Sequence, residues 1–441
     1  MSSNYIVIKD PIHGYIKVYE HELKIIDTYA FQRLRRLKQL PTSQWVYPGA
    51  THTRFSHSLG VMHVAGVLTE NLLGKVGVEE REKQRYIFIM RLWGLLHDIG
   101  HGPFSHTFED HILVNYGTTH EIIGKRIILE NSEIRPIIDK VTGELGIDAK
   151  TLANLLEAPS IELWPLNEVV GEESITTKSL FYVAKGAISA DIIDYLLRDS
   201  YYTGAFYGLT IDWQRIAQFS KIVSDKVVIE AKAKEVFDSM LLARLLMFKT
   251  VYYHKTSRAV DHMLGKLLKK ADEILGFEEY VKDPNKYVEL DDDFILSHPK
   301  VRKTPEALLI LKRHIPYSTV SEEVVSVRDA LLYNLLDRVF INRLLRSKIE
   351  SRGIKLGDDA FFVDTPKLHL NPMFADEYIY VQDSRGNIFA KRIWETLWGE
   401  LPHSIAILRL YVNEDVGDRE RNLIASLFNE IIRGSELRSF Y

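Results

Sequence analysis

The sequence predicts a mainly α protein: a helical core entered through an N-terminal β-hairpin and followed by a smaller mixed α+β lobe. Three observations carry that prediction. Apolar residues recur at helical spacing over most of the stretch from Glu20 to about Lys270. Period-two alternation is confined to residues 5–19 and to segments after about 275. No internal repeat or low-complexity stretch interrupts the pattern. With 441 residues, 46% of them apolar, the chain can bury a sizeable core and suits two or three domains. We place the division near 275, with a catalytic core over 1–275 and a lobe over 276–441 that serves oligomerisation or regulation.

Ile6 and Ile8, then Ile16 and Val18, alternate about the turn residues Asp10-Pro11 and His13-Gly14, which reads as a hairpin over 5–19. From Glu20 to Leu40 the residues Leu23, Ile26, Phe31, Leu34 and Leu37 read as one helix face. Pro41–Thr53 is a Pro/Gly/Thr-rich loop. Ala158–Thr177 has prolines and weak periodicity, and reads as a long loop of the kind that often carries function. After 275, residues 281–305 carry Asp291-Asp292-Asp293 among prolines. Residues 324–350, rich in Leu and Arg, read as one long helix. Glu377–Ile393 reads as a hairpin about Ser384-Arg385-Gly386-Asn387, Ile405–Val412 as a strand, and Asp418–Ile432 as a closing helix.

The formal net charge is −4, with 56 basic against 60 acidic side chains, which gives no electrostatic case for bulk binding to nucleic acid or to an anionic membrane. A local basic pocket for a small anion is compatible with it. There is no cysteine, so disulfides and thiolate metal sites are excluded and any metal must rest on His and carboxylate. The N-terminal MSSNYIVIKD lacks the pattern of a signal peptide. The most apolar run, Tyr86–Ile99, is broken by Arg91 and falls short of a membrane span. These features fit a cytoplasmic protein.

Eight of the 16 histidines fall between His52 and His120. Imidazole is both a metal ligand and a proton carrier near neutral pH, so such clustering points to metal or phosphate chemistry. In LWGLLHDIGHGPFSHTFED (92–110), an apolar helix presents His97 and Asp98 at its end and stops at Gly100, Gly102 and Pro103. His101, His106 and Glu109 follow; a merely exposed helix terminus has no need of so many histidines. In THTRFSHSLGVMHVAG (51–66), Arg54 and His57 share a helix face, the first suited to a phosphate and the second to a metal. His63 lies on another face as a structural residue, and His52 is ambiguous. In ISADIIDYLLRDSYYTG (188–204), Asp191, Tyr195 and Asp199 form a polar stripe every four residues, either a solvated face or one wall of a site. Together His57, His97, Asp98 and Asp191 make a two-nitrogen, two-oxygen set suited to Mn, Fe, Zn, Ni or Mg, with positions left for water and substrate. Such an ion acidifies bound water and polarises a phosphoryl oxygen. A second ion, such as Mg, is compatible with the set.

At these strings the chain resembles the HD superfamily, whose signature is H…HD…D. The resemblance is closer to the deoxynucleoside triphosphate triphosphohydrolases, the family of the SAM-and-HD-domain enzymes and their microbial relatives. It is carried by DPIHG (10–14), DTYAFQRLRRLKQL (27–40), PGATHTRFSHSLGV (48–61), HDIGHGPFSH (97–106), DYLLRD (194–199) and YYHK (252–255), over more than half of the chain. It implies an HD-domain helical core with a mixed C-terminal lobe. It implies His57, His97, Asp98 and Asp191 as metal ligands, and His101, His106, Glu109 and His120 along the reacting phosphate, one histidine being general acid toward the 5′ oxygen. Arg54 and Arg244 would hold phosphates, with Tyr252 also lining the substrate. Tyr195 and Asp199 would sit by the sugar, and Gln39 and Leu40 would help exclude a ribose 2′ hydroxyl. Water would attack the α-phosphorus, releasing deoxynucleoside and intact triphosphate.

The chain departs from the family pattern at Glu109, which replaces an Asp, and at Ile192, which replaces a phosphate-contacting Lys that Lys255 or Arg258 could stand in for. Asp27, Gln32 and Arg35 match a nucleotide-effector site, although Lys9 and Ile6 do not. The family is often oligomeric, which implies a homodimer or homotetramer. Two other readings compete: an HD phosphohydrolase acting on another phosphoester (monophosphate, cyclic nucleotide or guanosine polyphosphate), and a catalytically silent nucleotide- or nucleic-acid-binding relative.

Overall fold

The structure is a computed structural model that describes residues 4–170, 175–223, 226–327, 337–369, 378–392 and 404–433. It is mainly helical, with the expected hairpin at its start. Strands β1 (Tyr5–Asp10) and β2 (Gly14–Tyr19) pair antiparallel with Asp10 opposite Gly14. Asp10 Oδ1 accepts from the Ile12 and His13 amides at 2.9 Å each, and so closes the turn with a side chain. Ile16 and Val18 drop into the core.

The single helix expected over 20–40 is broken. A helix spans Glu20–Ile26, a short turn Tyr29–Gln32 restarts behind a Thr28 cap, and a 3-10 turn covers Arg33–Arg36. Thr28 Oγ1 accepts from the Phe31 amide, offering the backbone a fresh N-terminus in mid-pattern. The guanidinium of Arg33 is fully buried and donates to the Leu290 and Ile99 carbonyls at 2.9 and 2.7 Å. The apolar spacing survives the break because Phe31, Leu34 and Leu37 all remain core residues.

Three helices frame the centre of the molecule: Arg54–Leu73, Glu80–Leu96 and Ala190–Thr203. The first and third cross so closely at Gly60 that a Cβ there would overlap the Asp194 carboxylate. Gly100 is needed for the same reason, since a Cβ would collide with the His120 carbonyl. The loop expected over 158–177 is shorter than that. Trp164 and Leu166 anchor it in the core, a short helix covers Asn167–Val170, and the next begins at Ile175; residues 171–174 lie outside the described residues.

The main apolar core continues through Phe277, Tyr287, Ile295 and Ile310 to Tyr317, Phe362, Ile379, Val381 and Tyr411. A second core begins at Ile341. Its sheet is built from β5 (Tyr317–Val327), β6 (Phe361–Asp364), β7 (Lys367–His369) and β10 (Ser404–Asn413), with β5, β6 and β7 all antiparallel to β10. The helices Arg338–Ser351 and Asp418–Arg433 supply Ile341, Leu345, Leu427 and Phe428 to this core. The long helix expected over 324–350 is therefore a strand up to Val327 and a helix from Arg338. The β-branched alternation in TVSEEVVSV favours the ladder with β10 over a helix. Residues 328–336 lie outside the described residues. The expected hairpin appears as β8 (Tyr378–Gln382) and β9 (Ile388–Arg392). It extends a hairpin that the sequence reading missed, β3 (Ser220–Val223) with β4 (Lys226–Ile229), through a parallel β4–β8 pairing. Among the described residues, no helix is long and apolar enough to cross a membrane.

Candidate metal and phosphate site

His57 lies one turn into Arg54–Leu73, His97 caps the C-terminal end of Glu80–Leu96, and Asp191 sits in the first turn of Ala190–Thr203 behind a Ser189 cap. Each position follows from local chemistry. Ser189 accepts from the Ile192 amide, and a carboxylate in the first turn complements the helix dipole. The three side chains converge. His57 Nε2 is 3.1 Å and His97 Nε2 3.8 Å from Asp191 Oδ1, while Asp98 stands 3.6 Å from the first and 3.3 Å from the second. Donors bound to one ion at about 2.1 Å stand roughly 3 Å from their neighbours, so His57, His97 and Asp191 could hold a divalent cation, with Asp98 adjoining them.

The ring nitrogens support that fit. His97 Nδ1 donates to the Gly94 carbonyl at 2.8 Å, which leaves Nε2 as the bare acceptor; it is buried and has no hydrogen-bond partner. His57 Nδ1 is 2.8 Å from Asp194 Oδ2, so its Nε2 also faces the cluster. Tying off one ring nitrogen to present the other is the usual support for a metal-bound histidine. Burial opposes charge on His57, but hydrogen bonds to Asp191 and Asp194 and the charge of Asp98 outweigh it and raise its pKa to about 10. Three carboxylates thus crowd one imidazole, as expected where a cation belongs. Burial lowers the pKa of His97, which keeps it neutral.

Asp194 was absent from the predicted set. It accepts from His57, from Arg198 Nε and Nη2 at 2.8 and 2.9 Å, and lies 2.6 Å from His13 Nε2; Arg198 in turn holds Asp10. All are buried or nearly so. The signal was present in DYLLRD, where opposite charges four apart on an apolar helix announce an internal ion pair. The stripe Asp191, Tyr195, Asp199 masked it.

A second cluster adjoins the first. His101 and His120 stack with centroids 3.8 Å apart, and His101 Nε2 is 3.4 Å from Asp98 Oδ1. Glu109 Oε2 accepts from His120 Nδ1 at 2.8 Å and from His106 Nδ1 at 3.3 Å. Burial opposes ionisation of Glu109, but these two bonds win and hold its carboxyl well below its ordinary range. His120 is correspondingly raised against its burial, chiefly by Glu109. His101 is driven well below its ordinary value by burial and by Arg54. The glutamate in place of aspartate therefore reaches both histidines.

Arg54 is buried and donates to Asp98 Oδ2 and, at 2.8 Å, to Ser105 Oγ. Phe104 and Ser105 lie at positive φ, 59° and 56°, a strained turn that places the Ser105 hydroxyl under Arg54. Asp199 accepts from Tyr252 at 2.7 Å and lies 2.7 Å from His52 Nε2. A one-turn π-helix, Phe248–Tyr252, presents Tyr252 there. Tyr195 is beside Arg244, whose guanidinium lies over Phe248. Gln39 bonds through its amide to the His52 carbonyl, its Oε1 buried without a partner, and Leu40 is half-buried. His63 is half-buried against the rings of His13 and Trp213.

The guanidinium of Arg258, a candidate to stand in for the charge missing at Ile192, is engaged by Asp364 and Asp261. Ile192 itself packs in the core. The effector candidates lie apart from the clusters: Asp27 ends the first helix, Gln32 bonds the Ile26 carbonyl and Arg35, and Arg35 lies over Phe55.

Comparison with known proteins identifies the family. The HD domain matches residues 54–162 and an HD-associated region matches 211–313. The deoxynucleoside triphosphate triphosphohydrolase SAMHD1 homolog of Dictyostelium discoideum is 30% identical over 76% of this chain and 61% of its own length. Human SAMHD1 is 30% identical over 68% of this chain and 53% of its own length. The uncharacterized Bacillus subtilis protein YwfO is 30% identical over 78% of this chain and 72% of its own. The crystal structure of a hypothetical protein from Aquifex aeolicus superposes with a TM-score of 0.69 at 26% identity, over 96% of this chain and all of that one. The chain belongs to the HD superfamily and is similar to its deoxynucleoside triphosphate triphosphohydrolases. It spans less than two thirds of the length of the Dictyostelium and human proteins.

Proposed function

We propose that the protein hydrolyses deoxynucleoside triphosphates to deoxynucleoside and triphosphate. The observation that carries this reading is the adjacency of two clusters: a donor set fitted to a divalent cation, and a Glu109-tethered histidine pair joined to it through His101 and Asp98. A cation held by His57, His97, Asp98 and Asp191 would polarise the phosphoryl group and acidify water. The chain's own groups do the rest. Arg54 offers a guanidinium beside the cation set to a phosphate. Glu109 binds Nδ1 of His106 and His120, so either Nε2 can carry a proton. His106 is the more exposed of the two, and we assign it the proton that goes to the 5′ oxygen as the bond from that oxygen to the α-phosphorus breaks. The oxygen of water stays on the released triphosphate. Asp199 and Tyr252 supply polar contacts for the 3′ side of the sugar, with Gln39 and Leu40 nearby on the His52 side.

Chromatography of products from Mn-loaded protein with each dNTP tests the reading. Deoxynucleoside plus intact triphosphate, lost in Asp191→Ala, supports it; cleavage of a monophosphate or cyclic nucleotide in place of dNTPs sinks it.

A further inference from the structure

Acidic runs such as Asp291-Asp292-Asp293 are usually solvated. Two of this run's carboxylates are instead buried. Asp291 caps the helix Asp292–Ser297 and pairs with Arg36 at 2.5 Å. Asp292 does something different. Its Oδ2 accepts the Lys38 amide at 2.9 Å and its Oδ1 the Phe104 amide at 2.7 Å, two segments 66 residues apart in sequence.

Both segments lead into the site. Lys38 forms an antiparallel bridge with Thr53, flanked by bonds from the Gln39 amide to the His52 carbonyl and from the Arg54 amide to the Leu37 carbonyl. That bridge fixes Gln39 and the start of the helix bearing Arg54 and His57. Phe104 opens the strained turn ending in Ser105, whose hydroxyl donates to the Lys38 carbonyl at 2.8 Å and accepts from Arg54 Nε. Lys38 is thus held at both backbone groups, by Asp292 at N–H and by Ser105 at C=O. The chain of contacts ends on the metal-ligand candidate Asp98 through Arg54.

We propose that Asp292 is a positioning residue: its carboxylate clamps the Lys38 and Phe104 amides and so sets Gln39 and the Ser105–Arg54 pair relative to Asp98. Carboxylate chemistry is specific to this task. Two amides approach two oxygens of one short side chain, and an asparagine would turn an –NH2 toward one of the donors. A glutamate would be a methylene too long in a buried pocket. The strained turn at Phe104 also needs an external holder, because positive φ at a phenylalanine persists only when the surroundings enforce it. The inference rests on the proposed phosphate-binding role of Arg54 and deepens it.

The test compares wild type, Asp292→Asn, Ser105→Ala and the double variant. Amide exchange in segments 37–40 and 103–106 reads the clamp whatever the substrate; bound Mn reads the metal set; KM and kcat for a dNTP read positioning. In Asp292→Asn, exchange at both segments rises by roughly tenfold or more, with Mn content unchanged. KM rises by about tenfold in each single variant with kcat within about threefold, and the double variant is no worse than the worse single, because both cut one unit. A folded Asp292→Asn with unchanged exchange or unchanged KM overturns the proposal, as do effects that multiply in the double variant. Should Asp292→Asn not fold, the KM of Ser105→Ala decides. A wild type that cleaves no dNTP refutes the proposed reaction instead, and exchange alone then judges the clamp.

Discussion

The two histidine clusters are built in opposite ways. Around His57, His97, Asp98 and Asp191, three long helices meet, the imidazoles are tied at Nδ1 to the body of the protein, and the open nitrogens are fixed before any ligand arrives. Around Glu109 the supports are a six-residue helix, His106–His111, and the start of His120–Glu130; the histidines share one carboxylate and His106 is mostly exposed. A site for an ion gains from rigidity, since donor spacing decides affinity. A site that passes a proton gains from a side chain that substrate can reach. The contrast teaches that the first cluster should fail by losing metal and the second by losing rate.

The largest effect should come from His97→Ala or Asp191→Ala. Each should lose bound Mn by elemental analysis and cut turnover by more than about 1,000-fold, roughly the scale of a lost essential group. His106→Ala should lower kcat by about 100- to 10,000-fold, the range for a lost general acid, with metal content intact. If it lost metal too, the division between the clusters would be wrong. Asp194→Asn sharpens the comparison from behind His57. Metal affinity by equilibrium dialysis should fall about 10- to 100-fold, as when a group supporting a ligand is lost. Stability should also fall by several kcal/mol, because Arg198 loses half of its buried partners; about 3 to 5 is typical of breaking such a pair.

A further effect is on pH. Burial, helped by Asp291 and opposed by the Phe104 and Lys38 amides, pushes the Asp292 carboxyl up to about 7 from its ordinary 3.8. Between those values the folded chain binds a proton that the unfolded chain does not, so stability from this group rises as pH falls from 7 toward 4. The slope is at most about 1.4 kcal/mol per pH unit. Denaturant titrations at several pH values should show it in wild type and not in Asp292→Asn.

The convergence of His57, His97 and Asp191 was legible because they sit at helix ends and first turns, where sequence signals are strong: Gly100, Gly102 and Pro103 after His97-Asp98, and Ser189 before Asp191. The supporting layer was not legible. Asp10 and His13 belong to a hairpin turn, Ser105 to a strained turn and Asp292 to an acidic run. Nothing local says that these reach the site, because the contacts span 67 to 254 residues of chain and exist only after folding. The same limit explains the helix misread over 324–350. There the β-branched residues of β5 take effect only through its partner β10, about 80 residues away. The break in 20–40 was harder still, since Thr28 and Arg33 interrupt the helix without disturbing its apolar spacing.

The central claim is attack at the α-phosphorus beside the four-residue metal set. Hydrolysis of a dNTP in ¹⁸O-labelled water, with and without added GTP, tests it most directly by mass spectrometry of the products. The account predicts unlabelled deoxynucleoside and triphosphate carrying one ¹⁸O, with no product from Asp191→Ala. Label in orthophosphate or pyrophosphate, or in a nucleoside monophosphate, would contradict it.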